Sequence, residues 1–95
     1  MTNFRPPTPL EKAFERDASD LAIRRGWFES KVTWPGHKGL PDRFYARNGR
    51  IVLVEYKRDG EPLRRKQLLA HEELRRYGVE VHVLDNMTDA RNLFL

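Results

Sequence analysis

Gly39-Leu40-Pro41-Asp42-Arg43-Phe44-Tyr45-Ala46-Arg47-Asn48-Gly49-Arg50-Ile51-Val52-Leu53-Val54-Glu55-Tyr56-Lys57 is the stretch on which the reading of this chain turns. Asn48-Gly49 between two apolar-rich runs predicts a two-residue type I′ hairpin, because both central residues must accept positive φ. Counting outward pairs Arg47 with Arg50, Ala46 with Ile51, Phe44 with Leu53 and Asp42 with Glu55. Directly opposed Cβ atoms in such a ladder lie roughly 4.5–5.5 Å apart. Two carboxylates are therefore forced together, and side-chain alternation puts Lys57 on their face. Unit charges about 4 Å apart repel by on the order of 4 kcal/mol at an effective dielectric near 20. A divalent cation between them would turn that repulsion into a binding site, and magnesium, a hard ion taking oxygen ligands, suits it.

Outward from the hairpin, Thr8-Pro9-Leu10-Glu11 reads as a capping box with proline at the first helical position. Leu10, Ala13, Phe14, Ala18, Leu21 and Ala22 then recur at helical spacing up to Gly26. Trp27 to Trp34 alternates loosely and predicts a first strand, followed by a loop through Pro41 in which Gly36 and Gly39 allow close backbone approach. The hairpin arms run over about 42–47 and 50–57. In the second arm Ile51, Leu53 and Glu55 face one way and Val52, Val54 and Tyr56 the other, so a central strand covered on both faces is expected. A second helix is expected from about Leu63 to Tyr77, a fourth strand over Val79–Val83, and a short helix within Thr88–Leu95. The order helix, three strands, helix, strand is a compact α/β plan of one domain over residues 1–95, with residues 1–7 as a flexible arm.

Ninety-five residues bury only a modest core, which makes oligomerisation plausible. With no cysteine, disulfides and thiolate zinc sites are excluded. The run Ile51–Val54 is too short to span a bilayer, and the first residues lack the apolar core of a signal peptide, so a cytoplasmic location and no membrane partner are expected. Eighteen Lys and Arg against fourteen acids give a net charge of +4, which permits attraction to a polyanion. The cations cluster at Arg24-Arg25, Lys38, Arg43, Lys57-Arg58, Arg64-Arg65-Lys66 and Arg75-Arg76, mostly at expected element ends and loops.

Gly39-Leu40-Pro41-Asp42 followed by Glu55-Tyr56-Lys57 resembles the pattern of the PD-(D/E)XK nuclease superfamily. The Lys38-Gly39 lead-in, the short hairpin, Gln67 early in the next helix, and a Gly before a valine-rich strand look like its VRR-NUC branch. The resemblance spans roughly residues 10–85 and is similar in outline to Holliday junction resolvases. It implies a restriction-endonuclease-like core, with a mixed sheet flanked by helices in the order α-β-β-β-α-β. It also implies a Mg²⁺- or Mn²⁺-dependent endonuclease that cuts DNA, structure-selectively and as a homodimer on branched substrates. A non-catalytic DNA-binding module on the same fold is the alternative.

The implied metal ligands are Asp42, Glu55 and the Tyr56 backbone carbonyl, with Lys57 orienting or helping deprotonate the attacking water. A Glu eleven residues before a Gly-aromatic pair is part of the resolvase outline and selects Glu15, which would reach the metal directly or through water; Glu11, one turn earlier, competes. Gln67 is the fifth catalytic candidate, although the Ser-Pro that precedes it in the family is replaced here by Arg64-Arg65-Lys66. Lys38, Arg43, Arg58, Arg64, Arg65 and Lys66 are the expected DNA contacts. His71 and His82 have no partner at ligand spacing and are expected not to bind metal. His37 reads as a solvated loop residue, and Trp27 and Trp34 as core or interface.

Overall fold

Among the described residues seven elements follow one another: α1 (Pro9–Arg24), β1 (Phe28–Lys31), β2 (Arg43–Arg47), β3 (Arg50–Tyr56), α2 (Arg65–Arg76), β4 (Val81–Leu84) and α3 (Met87–Leu93). The structure is a computed structural model that describes residues 9–95, with side chains from residue 12 onward. The expected arm and the Thr8 cap lie outside the described residues, as does the side chain of Glu11. Strands and helices fall where the patterning puts them, with ends shifted by a few residues: β4 starts two residues late and runs on to Leu84, and α3 starts one residue early at Met87. The first strand is the shortest relative to expectation, covering only Phe28–Lys31.

The hairpin between β2 and β3 decides the register. Asn48 and Gly49 take φ of 52° and 82°, the pair of positive values that a type I′ turn requires. Tyr45 then pairs with Val52, Phe44 with Leu53 and Arg43 with Val54, as the outward count predicts. The sheet order is β1-β2-β3-β4, antiparallel across the first three strands and parallel between β3 and β4. A parallel pair needs a crossover, and α2 supplies it.

One face of the sheet is fully covered. Tyr45, Val52, Val54 and Tyr56 share it, and with Ala18 and Ala22 of α1, Ala90 and Leu93 of α3 and Phe94 just after it they form the core. The small alanines let α1 lie close to the strands, and Phe94 tilts against Tyr45 with ring centroids 4.7 Å apart. Trp27 packs edge-on to Phe94 and lies under the guanidinium groups of Arg47 and Arg50, so it is a core residue.

The opposite face differs from expectation. Leu53 and Val81 are buried there, but Ile51 is 51% exposed and Phe28 62% exposed. The reason is the placement of α2, which packs against β4 and leaves the hairpin end and the edge strand open. Period two identified the face of each residue correctly; the coverage of that face depends on where a distant helix crosses it.

Candidate active site

Beyond the last registered pair, Arg43 with Val54, the next residues outward are Asp42 and Glu55. Asp42 is still held in the ladder on its other side, where its carbonyl accepts from the Val32 N–H at 2.9 Å. Glu55 remains in β3 and pairs with Val83 of β4. The consequence is electrostatic. Glu55 is pushed up to about 7, first by burial and next by the charge of Asp42, with Lys57 and Arg64 pulling it back and Glu15 adding repulsion.

Lys57 follows two residues on and is only 6% exposed, its backbone N–H bonded to the Leu84 carbonyl at 2.9 Å. A buried ammonium beside the mostly buried Glu55 and the exposed Asp42 gives the corner one donor and, with both acids ionised, two acceptor-only groups. The Tyr56 carbonyl is a third acceptor group. The N–H groups of Leu53 and Lys57 bond toward β4, so the alternate residues Val52, Val54 and Tyr56 direct their polar groups toward β2. Opposite Tyr56 the register places Pro41, which has no N–H to give. The ladder therefore cannot satisfy that carbonyl from residue 41.

The loop leading into Asp42 is fixed by Gly39. Its φ is 83°, and a Cβ there would lie 2.6 Å from the Lys66 carbonyl oxygen. Only glycine lets the loop lie directly on the first turn of α2. Gly36, by contrast, has open space around it, so the close approach expected there does not occur. The Trp34 indole N–H donates to the Pro41 carbonyl at 2.8 Å, and Pro41 is fully buried. Asp42 thus leaves a pinned backbone.

Glu15 approaches from α1 on the core side of the sheet. Arg43 lies 3.5 Å from Glu15 and 3.3 Å from Glu29, and the Ser19 hydroxyl donates to Glu29. Arg43 is therefore an inward bridge with a side chain only 15% exposed, not the rim cation expected from its position near a strand end. The register of β1 explains this, since Arg43 faces the same side as Glu29. Beneath the bridge the Tyr45 and Tyr56 hydroxyls lie 2.6 Å apart, both phenols held well above their ordinary range mainly by burial.

Gln67 accepts from the Arg64 N–H at 3.0 Å and so caps the start of α2. Arg64 has no acceptor with which to return the bond, so this is half of a capping box. Arg64, Arg65 and Lys66 are exposed at that helix start. Lys66 and Lys38 line one groove along α2 with Arg75 and Arg76, and Glu72 and Glu73 lie among them. Arg58 is half-buried and sits beside Glu61 at 3.9 Å.

His71 is the residue the sequence reading missed. It is fully buried on the inward face of α2, its Nε2 is 3.7 Å from Glu55 Oε1, and neither ring nitrogen has a hydrogen-bond partner among the described residues. Burial, with Arg75 and Lys57 nearby, pushes its pKa down and keeps the ring neutral. Its signal was its place four residues after Gln67 on the side of α2 that also carries Ala70 and Leu74. His82 instead bonds Glu80 at 2.6 Å, away from this corner.

Among the described residues no three His, Asp or Glu side chains converge as a ready ligand set. The groups that the register brings to this corner, two carboxylates and a backbone carbonyl, are all hard oxygen donors, a chemistry that fits Mg²⁺ or Mn²⁺. Taken with the mixed sheet, the acid pair and Lys57, they define a nuclease fold of the PD-(D/E)XK kind.

No family model matches the sequence. The chain is 36% identical over 77 residues to "Putative nuclease p44" of Acyrthosiphon pisum secondary endosymbiont phage 1, covering 80% of this chain and 83% of that protein. A solved structure described as "VRR_NUC domain" superposes with a TM-score of 0.80 at 26% identity, covering 87% of this chain and 91% of its own. The chain belongs to the VRR-NUC family of nucleases. No described helix is long and apolar enough to cross a membrane.

Proposed function

We propose that this protein is a Mg²⁺- or Mn²⁺-dependent endonuclease that hydrolyses phosphodiester bonds in DNA. The observation that carries the reading is the corner where the hairpin register brings Asp42 beside the mostly buried Glu55, itself pushed up to about 7, with the buried Lys57 just past the end of the same strand. Two acids and an ammonium converging on one partly buried corner, with a carboxyl perturbed this far, is the kind of arrangement that marks a functional site.

Asp42, Glu55 and the Tyr56 carbonyl would hold the ion. When bound, it would polarise the phosphate and lower the pKa of an attacking water. Lys57 would orient that water and offset charge developing on the phosphoryl oxygens. Glu15, held by Arg43, would receive a second ion or a coordinated water. Gln67 would act from the first turn of α2, fixing the wall against which Gly39 and the Asp42 loop rest. Lys38, Arg64, Arg65 and Lys66 would take backbone phosphates flanking the scissile bond, and Arg58 a phosphate at the far side of the corner.

Preference for branched DNA, and a homodimer cutting two strands symmetrically, are the finer parts of the proposal. They draw on the family resemblance and on the fit of two-fold symmetry to a four-way junction. The test is a cleavage panel of junctions, flaps, single strands and duplexes in magnesium and in manganese, with Asp42→Ala and Lys57→Ala alongside. Metal-dependent cutting lost in both variants is expected, with junctions cut fastest. DNA binding without cutting in either metal would instead identify a non-catalytic module.

A further inference from the structure

Glu55 has one unexplained neighbour. The His71 ring is enclosed, its Nε2 faces the Glu55 carboxylate, and 3.7 Å is too long for a hydrogen bond. A neutral imidazole carries one N–H and one lone pair. Once Glu55 is ionised, as a carboxylate holding a metal ion would be, it can only accept, so a bond between the two then runs from the ring to Glu55. Leaving a buried donor unmade costs about 1–3 kcal/mol, which argues that this one is used in another state of the molecule.

We infer that His71 is a positioning residue for Glu55, donating its Nε2–H to one carboxylate oxygen once the other turns toward a bound divalent ion. The inference rests on the metal-dependent reading of the site. Reaching the 2.7–3.2 Å range needs a shift of roughly 0.5–1 Å, within the reach of a side-chain rotation at Glu55. The ring itself cannot wander, because it is packed at zero exposure on the inward side of α2. His71 is poorly placed as a direct ligand, since Lys57 and Arg75 both lie close enough to bear on its charge and would repel a cation there. Outer partners that orient a ligating carboxylate typically change metal affinity or activity by 10–100-fold when removed.

The experiment measures Mn²⁺ binding to the intact protein without DNA, by calorimetry and by electron paramagnetic resonance, in wild type and in His71→Phe, His71→Gln and His71→Asn. The Gln amide nitrogen reproduces the position of Nε2, whereas that of Asn reproduces Nδ1. Mn²⁺ affinity should fall at least tenfold in His71→Phe and His71→Asn and recover to within about threefold in His71→Gln. A merely structural role would follow thermal stability and would not single out Gln. Wild-type affinity in His71→Phe, or equal loss in His71→Gln, overturns the inference. Should the variants not fold, ¹⁵N imidazole spectra of wild type decide: an Nε2–H tautomer whose Nε2 resonance moves with Mg²⁺ supports the role, and an Nδ1–H tautomer or an unmoved resonance overturns it. No ion binding by wild type would sink the metal-dependent reading itself, a separate and recognisable failure.

Discussion

Glu55 and Glu80 each lie beside a histidine, at the two ends of the β3–β4 ladder. Glu80 is open to solvent and takes Nε of Arg50 at 3.1 Å, Nη2 of Arg50 at 2.5 Å and Nε2 of His82 at 2.6 Å. These partners pull its pKa down to about 2, with the Arg50 bonds the largest cause. Glu55 is mostly buried, has Asp42 as a like-charged neighbour, and stands 3.7 Å from an imidazole that makes no bond. The same two residue types thus form a satisfied surface cluster at one end and a frustrated pocket at the other. Satisfaction of an exposed acid adds little to stability, whereas frustration of a buried one marks a place where folding free energy is held in reserve for a ligand.

Replacing the glutamates separates the two ends most sharply. Glu55→Gln should cut DNA cleavage by a thousandfold or more if the residue holds the ion, while Glu80→Gln should leave it within about threefold, as single-turnover rates in manganese will show. Lys57→Met keeps the buried stem and removes the ammonium; a loss of roughly 10²–10⁴ in rate with DNA affinity little changed is expected.

The pH dependence of the metal-free fold gives the next contrast. Glu55 has a folded pKa of about 7 against 4.5 when unfolded. The folded state therefore holds the extra proton between those values, and stability should fall as pH rises through that window, by on the order of 3 kcal/mol. His71, with its pKa lowered, acts in the opposite sense, losing stability as pH drops through its unfolded value near 6.5. The difference between wild type and Glu55→Gln in denaturant melts at pH 5 and pH 8 isolates the Glu55 part: the variant should be relatively more stable at pH 8. Glu80 has the reverse sign, its contribution present above 4.5 and lost as pH falls toward 2. Because its side chain is 36% exposed, that contribution should be under about 1 kcal/mol, the smallest effect of the set.

The frustrated corner was largely legible because local chemistry sets it. Asn48-Gly49 fixes the turn, the turn fixes the register, and the register brings Asp42 to Glu55 and puts Lys57 on their face. His71 was illegible because its importance arises only when the crossover lays α2 across the end of β3, a tertiary fact with no local signature beyond its place on the inward side of that helix. Arg43 was misread for a related reason. Its neighbours come from an edge strand and a helix: the pairing of β1 with β2 brings Glu29 to it, and the packing of α1 brings Glu15. The exposed Ile51 and Phe28 belong to the same class, since a strand reveals which residues share a face and not how much of that face a helix covers.

The most direct test follows the Glu55 carboxyl carbon by ¹³C NMR through a pH titration, with and without Mg²⁺. The account predicts a midpoint near 7 in the metal-free protein, falling by two units or more when Mg²⁺ is present, and a shift lost in Asp42→Asn. A midpoint near 4.5 that ignores the ion would contradict it.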